Sequence, residues 1–283
     1  MFQINWKLKA LLYKIFGIFQ LKTFFYLIQK HITKRSKVEI NEINKSWIHH
    51  ANSIEKNNIK NLLEVGAGKS LEQNIYISYK FNNLVNQTAI DINQMIDFEL
   101  LNQASDQISK ILGEKNKGRV KNLEELRNLY NIEYKAPCFL KELKIYNKKF
   151  DICISTTALE HFTVDDLKEY LVDLRYILSK NVLISSVIDY SDHYSHTDNN
   201  ITPLNFLSYS KTEWAKFNNS YLYQNRLRHQ DYKKIIEESG YKIKEVFKGK
   251  ILKAPNKISN EFESENEETY IGAAYFLFES KVF

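Results

Sequence analysis

Four short apolar runs alternate with helix-length amphipathic stretches, and that alternation constrains the fold more than any other feature of the chain. The runs are NLLEV (61–65), NQTAIDIN (86–93), FDICISTT (150–157) and NVLISSVID (181–189). Between them lie SLEQNIYISYKF (70–81), MIDFELLNQASDQISKILGEK (95–115), KNLEELRNLYNI (121–132) and TVDDLKEYLVDLRYILS (163–179), all with helical spacing of apolar positions. Ser70 and Thr163 are the predicted N-caps, and Asp165 and Asp166 suit the positive end of the helix that Thr163 opens. RHQDYKKIIEESG (228–240) is a further helix closed by Gly240. Two β-rich runs, YKIKEVFKGKIL (241–252) and YIGAAYFLFESK (270–281), finish the chain. Strand and helix in alternation predict a mostly parallel sheet with helices on both faces, an α/β fold of the doubly wound, Rossmann-like kind.

The chain has 283 residues, 43% of them hydrophobic, enough to bury one large core, so disorder is excluded and one domain with appendages is expected. The net charge is +6, and eight Lys or Arg with no Asp or Glu fall in residues 1–38, which leaves the remainder at −2. That basic head is also apolar, LKALLYKIFGIFQLKTFFYLIQKHITK, but Lys14 and Lys22 break it too often for a membrane span, and no signal-peptide cleavage site follows. Two placements fit an amphipathic helical extension over 1–45: packed by its aromatic stripe on the domain, or laid on an anionic membrane surface through residues 1–38. No nucleic-acid-binding motif accompanies the charge, so no nucleic-acid partner is expected. Cys138 and Cys153 have neither disulfide nor metal spacing, which suits a reducing cytoplasm, with the head as the one segment able to reach the inner membrane face.

The stretch NLLEVGAGKSLEQ (61–73) is the first candidate site. A triphosphate loop requires glycine where Leu63 stands, inside the strand, and a dinucleotide turn requires a third glycine where Leu71 stands. The remaining pattern is an acid two residues before a Gly-x-Gly turn, Glu64-Val65-Gly66-Ala67-Gly68. It suits a cationic sulfonium cofactor, whose ammonium needs an acid and whose ribose needs close backbone approach. Asp91, ending the second run, is placed to accept two ribose hydroxyls; dinucleotide sites use an acid there too, so Asp91 alone does not discriminate.

NLLEVGAG, TAIDIN and FDICISTTALEHF, in this order and spacing, resemble class I S-adenosylmethionine-dependent methyltransferases, particularly the broad type-11/type-12 group. The resemblance spans about residues 61–190 by motif and reaches the end by strand order. It implies a seven-stranded sheet with an antiparallel last strand, a methyltransferase domain over 46–283, and S-adenosylmethionine as cofactor. Mapped here, the family's cofactor contacts fall on Glu64, Gly66, Ala67, Gly68, Asp91, Ile92, Ser155 and Thr156. The family's acid near the adenine falls on or near Phe139, which substitutes stacking for a hydrogen bond.

Ligands of open parallel sheets bind beyond the carboxyl ends of the strands. There stand His161, in LEHF, and the run DYSDHYSHTDNN (189–200), with His193 and His196 interleaved with Asp189, Asp192 and Asp198. His161, His193 and His196 are the candidates for acceptor contact or general base. The loop spacing matches no strong zinc pattern, and no metal is expected. An insertion over about 189–230 is dense in aromatic residues and closes on Arg226 and Arg228; with Asp189 and Tyr194 these are the expected acceptor contacts, as a lid. This insertion has a looser resemblance, through its DHY-H-D and NRLR runs, to bacterial methyltransferases of cell-surface glycan biosynthesis. The expectation is therefore methyl transfer, at oxygen, to a small molecule or a glycan- or lipid-linked precursor. The alternatives are a nicotinamide-dependent oxidoreductase on a similar sheet and a non-catalytic scaffold docked to membrane by its head. Oligomeric state is left open.

Overall fold

Successive side chains in the central strands are buried on opposite sides, as a sheet covered on both faces requires. Leu62, Ile152, Ile154 and Leu183 join one core, whereas Leu63, Cys153, Ile184 and Ile188 join the other. The computed structural model describes residues 3–19, 37–146, 149–219, 222–263 and 266–280.

The strands are β1 (Asn61–Val65), β2 (Asn86–Ile90), β3 (Ile132–Lys135), β4 (Phe150–Thr156), β5 (Leu178–Asp189), β6 (Tyr241–Lys248) and β7 (Ala273–Ser280). They form one sheet in the order β3-β2-β1-β4-β5-β7-β6. β1 to β5 pair in parallel, while β7 runs antiparallel to both β5 and β6. The antiparallel last strand agrees with the expectation. β3 was hidden at the sequence level because IEYK is four residues long and continues a helical pattern. Asn131, in the left-handed conformation, ends that helix and turns the chain into β3.

The helices are α1 (Trp6–Ile18), α2 (Lys45–Lys56), α3 (Glu72–Lys80), α4 (Phe98–Leu112), α5 (Leu123–Tyr130), α6 (Val164–Ile177), the single turn α7 (Lys211–Trp214) and α8 (His229–Glu238). α2 to α5 supply the first core, with Trp47, Ile75, Leu101 and Leu126; α6 and α8 supply the second, with Leu171, Leu174 and Ile236. Burying each such side chain stabilises the fold by about 1.5–3 kcal/mol. Thr163 caps α6 in a reciprocal capping box with Asp166, as its position in the sequence predicts. Ser70 does not cap α3. Leu71 occupies the cap in the left-handed conformation (φ +48°), and Ser70 Oγ donates to Glu72 Oε1 instead.

The head packs on the insertion. Trp6 and Ala10 join Tyr194, Phe206 and Trp214 in a third, smaller core. Trp6 N–H donates to Asp198 Oδ2 at 2.9 Å, Ile4 N–H to the Thr197 carbonyl at 2.8 Å, and Lys9 Nζ to Thr197 Oγ1 at 2.9 Å. α1 nevertheless leaves Leu8, Leu11, Ile18 and Phe19 at least half exposed, at 50%, 55%, 68% and 68%. Residues 20–36 of the predicted extension lie outside the described residues.

Candidate functional site

β1 and β2 end side by side, so the glycine turn after β1 meets Asp91 after β2. Gly66 and Gly68 both take positive φ, +82° and +71°, which only glycine adopts without strain. A Cβ on Gly66 would lie 2.7 Å from Ala158 Cβ, so the turn is pressed against the segment leaving β4; around Gly68 the space is open. Asp91 fixes the turn. Its Oδ2 accepts from Gly68 N–H at 3.1 Å and its Oδ1 from Asn93 N–H at 2.9 Å. Burial raises its pKa, against these backbone bonds.

Glu64 lies beneath the turn and is buried. Its Oε1 accepts from Gln73 Nε2 at 2.7 Å, and Oε2 has no partner within hydrogen-bond geometry among the described residues. Burial pushes its carboxyl up to about 7, offset by Asn74 and Gln73 and reinforced by Asp91. A buried carboxylate with an open oxygen beside a glycine turn fits an ammonium group. The orphaned oxygen and the open space at Gly68 therefore fit the amino-acid end of a sulfonium cofactor, and Asp91 keeps further acceptor capacity for ribose hydroxyls.

Sequence reasoning missed the support behind Glu64. Gln73, nine residues on and buried, also faces Thr156 Oγ1 at 2.6 Å, and Thr156 lies 3.0 Å from His50 Nε2. His50 Nδ1 lies 2.6 Å from Ser185 Oγ, which reaches Tyr275 OH at 3.0 Å. Burial lowers the His50 pKa to about 3, with His49 adding to the shift, so this imidazole is a neutral link in a polar chain that fixes Glu64 from behind. A polar residue at 73 in the first turn of α3 was the only local signal. Thr156 thus acts on the site through Gln73. Ser155, expected at the cofactor, is fully buried with its hydroxyl donated to Ser186 Oγ at 2.9 Å; the period-two alternation of β4 turns its side chain away. Ile92 and Phe139 remain at the rim, 60% and 51% exposed, where a planar ring can stack.

At the far end of the same edge, Thr157 follows β4 with φ +49°, a strained conformation for a β-branched residue. It redirects the chain into the 3-10 turn Leu159–His161. His161 Nδ1 lies 2.7 Å from the Tyr223 carbonyl, and its ring centroid is 5.0 Å from that of His193. His193 Nε2 is 3.4 Å from Asp189 Oδ2, and His196 stacks on His193 at 5.1 Å. Burial works to raise the Asp189 carboxyl, but hydrogen bonds from His193 and Ser191 hold it below the usual carboxylate range. The structure thus gathers His161, His193, His196 and Asp189 as the sequence predicts. A cavity of about 350 Å³ opens beside them, lined by Asp189, Ser195, His196 and Lys250 among others, and by none of the glycine-turn residues.

Three expected acceptor contacts are corrected. Tyr194 is buried, donates its hydroxyl to the Phe217 carbonyl at 2.9 Å and packs on Trp6 and Trp214. Arg226 donates to the carbonyls of Phe206 and Tyr209 at 3.1 and 2.6 Å. Arg228 donates to those of Thr269, Tyr190 and Ile271 at 2.8, 2.7 and 2.7 Å. Both guanidinium groups tie loops together and offer no free fork to an anion. Among the described residues of the insertion, Tyr194, Phe206, Tyr209, Trp214 and Phe217 are likewise packed inward with Trp6.

No protein-family model and no curated protein sequence matches the chain. Solved structures resemble it in outline. One is an S-adenosylmethionine-dependent methyltransferase from Clostridium acetobutylicum ATCC 824, 14% identical, covering 92% of this chain and 98% of that one at a TM-score of 0.46. A second is magnesium protoporphyrin IX methyltransferase from Synechocystis PCC 6803 with bound SAH, 11% identical over 96% and 99% of the two chains at 0.43. A third is 1,6-didemethyltoxoflavin-N1-methyltransferase from Burkholderia thailandensis, 12% identical over 83% and 76% at 0.45. At these levels of similarity the site stands on this chain's own residues.

Proposed function

We propose that the chain is a class I S-adenosylmethionine-dependent methyltransferase that methylates a hydroxyl on a small-molecule acceptor. The observation that carries this reading is Glu64: buried, with one carboxylate oxygen open, under a Gly66–Gly68 turn that Asp91 pins from the neighbouring parallel strand. Glu64 would hold the cofactor's ammonium, the Gly68 backbone its amino-acid portion, and Asp91 its ribose, with Ile92 and Phe139 flanking the base. Bound there, the cofactor supplies an electrophilic methyl group. The chain's own residues bind and orient the acceptor at the histidine end, where imidazoles and Asp189 suit a hydroxyl that must lose a proton. The inward-facing aromatic insertion favours a small acceptor over a glycan. The test is calorimetric titration with S-adenosylhomocysteine and, separately, NAD. Binding of the first and not the second is expected; the reverse overturns the assignment in favour of an oxidoreductase.

A second reading concerns the head. Leu8, Leu11, Ile15, Ile18 and Phe19 form an exposed apolar stripe on α1, flanked by Lys7 and Lys14, while Trp6 and Ala10 face the domain. The two placements inferred from the sequence are thus compatible: one helix face docks and the other suits an anionic bilayer surface. No helix among the described residues is long and apolar enough to cross a membrane. Sedimentation with phosphatidylglycerol vesicles tests this contact. Leu11→Asp with Ile18→Asp should abolish binding, and unchanged sedimentation removes the idea.

A further inference from the structure

The turn Leu159–His161 follows β4, and the turn His193–His196 follows β5. β4 and β5 are adjacent and parallel, so both turns emerge at the same edge of the sheet. Glu160, His161 and His193 thereby each place one ligand-type atom within 4.8 Å of the others. Compact clusters of this kind often mean nothing, but three features here point to an ion.

Glu160 is only 2% exposed, and among the described residues neither of its carboxylate oxygens has a partner within hydrogen-bond geometry. His193 Nε2 lies 4.0 Å from Oε1, beyond hydrogen-bond distance. Burying a carboxylate whose oxygens lack a full hydrogen-bond partner is costly, and the backbone N–H groups of Glu160 and Asp189 offset that cost only in part. His161 is oriented for ligation: a carbonyl can only accept, so Nδ1 bears the proton toward Tyr223 and the Nε2 lone pair is left open. Metal-bound histidines are held in the same way, with the second ring nitrogen donating to a carbonyl. Asp189, 3.4 Å from His193 Nε2, adds a second negative charge beside the cluster.

We propose that Glu160, His161 and His193 form a binding site for a divalent transition-metal ion, with its remaining coordination positions open toward the acceptor. Two imidazoles with one carboxylate select borderline ions such as zinc, cobalt or iron over magnesium or calcium. Three protein ligands with open positions are the pattern of a working metal centre, not of a closed structural one. Metal–ligand bonds of about 2.0–2.2 Å require the three atoms to draw together by roughly 1 Å. That movement is within reach of two short turns whose ligands are side chains. An acceptor hydroxyl in an open position would bind next to the ion and become more acidic. His161 is then a ligand and not a base. The site adjoins the proposed acceptor edge but does not depend on the cofactor assignment. It also departs from the expectation drawn from sequence spacing, which looked for ligands only within the loop after β5.

The experiment is titration of chelator-stripped, full-length protein with Co²⁺, followed by its visible d–d absorption, with Zn²⁺ as competitor and Mg²⁺ as the hard-ion control. One equivalent of Co²⁺ should bind, be displaced by Zn²⁺ and resist Mg²⁺. Glu160→Gln and His193→Ala should each weaken Co²⁺ binding by at least about tenfold while retaining the circular dichroism of the parent. Should Glu160→Gln fail to fold, the half-buried His193 still permits a decisive variant. Absence of d–d bands at saturating Co²⁺, or binding unchanged in the folded variants, overturns the site. S-adenosylhomocysteine titration of the same samples separates the two proposals, since loss of that binding with Co²⁺ binding intact removes the cofactor reading alone.

Discussion

The two ends of the candidate site are built in opposite ways. At the glycine end, Glu64, Gly66 and Gly68 lie within five residues, and the turn they form is pinned by Asp91 from the adjacent strand. At the histidine end, Glu160 and His161 meet His193 from a turn more than thirty residues away, and the supporting carbonyl of Tyr223 comes from farther still. The glycine end leaves one carboxylate oxygen open; the histidine end leaves two. Binding of a fixed cofactor can be encoded in a short motif, because the ligand is always the same. An acceptor site is assembled from insertions, because it is the part that differs among enzymes sharing a sheet.

Substitutions probe this contrast in decreasing order of effect. Arg228→Ala should cost most. It removes three charged hydrogen bonds to loop carbonyls, two of them buried, and a loss of roughly 4 kcal/mol in unfolding free energy by denaturant titration is expected. A change confined to acceptor KM, with stability unaltered, would restore Arg228 as a substrate contact. Gly66→Val places a side chain at φ +82° and 2.7 Å from Ala158 Cβ, so S-adenosylhomocysteine affinity should fall at least about a hundredfold.

Glu64→Gln is milder and carries a pH signature. The folded-state pKa of about 7 lies above the value of an unperturbed glutamate, so this group stabilises the unliganded protein at low pH, and that contribution is lost as pH rises through 7. A cation at Oε2 needs the ionised form, so binding should release a proton and strengthen as pH rises toward 7. In Glu64→Gln the affinity should drop by roughly tenfold at pH 8, and the pH slope should vanish. An unchanged slope, measured by calorimetry in buffers of different ionisation enthalpy, rules out Glu64 as the ammonium partner. Lys69→Ala, in the fragment that imitates a phosphate loop, should change affinity by less than about twofold. A large loss there would revive phosphate recognition.

How much was legible follows from the range of each interaction. Short, near-continuous apolar runs marked six strands and the two-faced sheet, because burial on both sides leaves a local signature in β1, β4 and β5. β3 escaped because four residues are too few to show a period. Glu64 and Asp91 were legible from spacing to the glycines, but the chain Gln73–Thr156–His50–Ser185 joins four separate elements and leaves no linear trace. Tyr194, Arg226 and Arg228 were misjudged for one reason. Aromatic and guanidinium groups suit a ligand and a loop carbonyl equally well, and only burial tells which is met.

The sequence by itself determined the sheet, the glycine turn and its two acids, since these rest on backbone conformation and local period. Tertiary structure decided which polar groups were already engaged: the arginines by carbonyls, Ser155 by Ser186, and Asp198 by the N-terminus of α1. It also decided which buried carboxylates keep unpaired oxygens among the described residues, those of Glu64 and Glu160, because desolvation and missing partners are properties of a packed environment and not of a residue's neighbours in the chain.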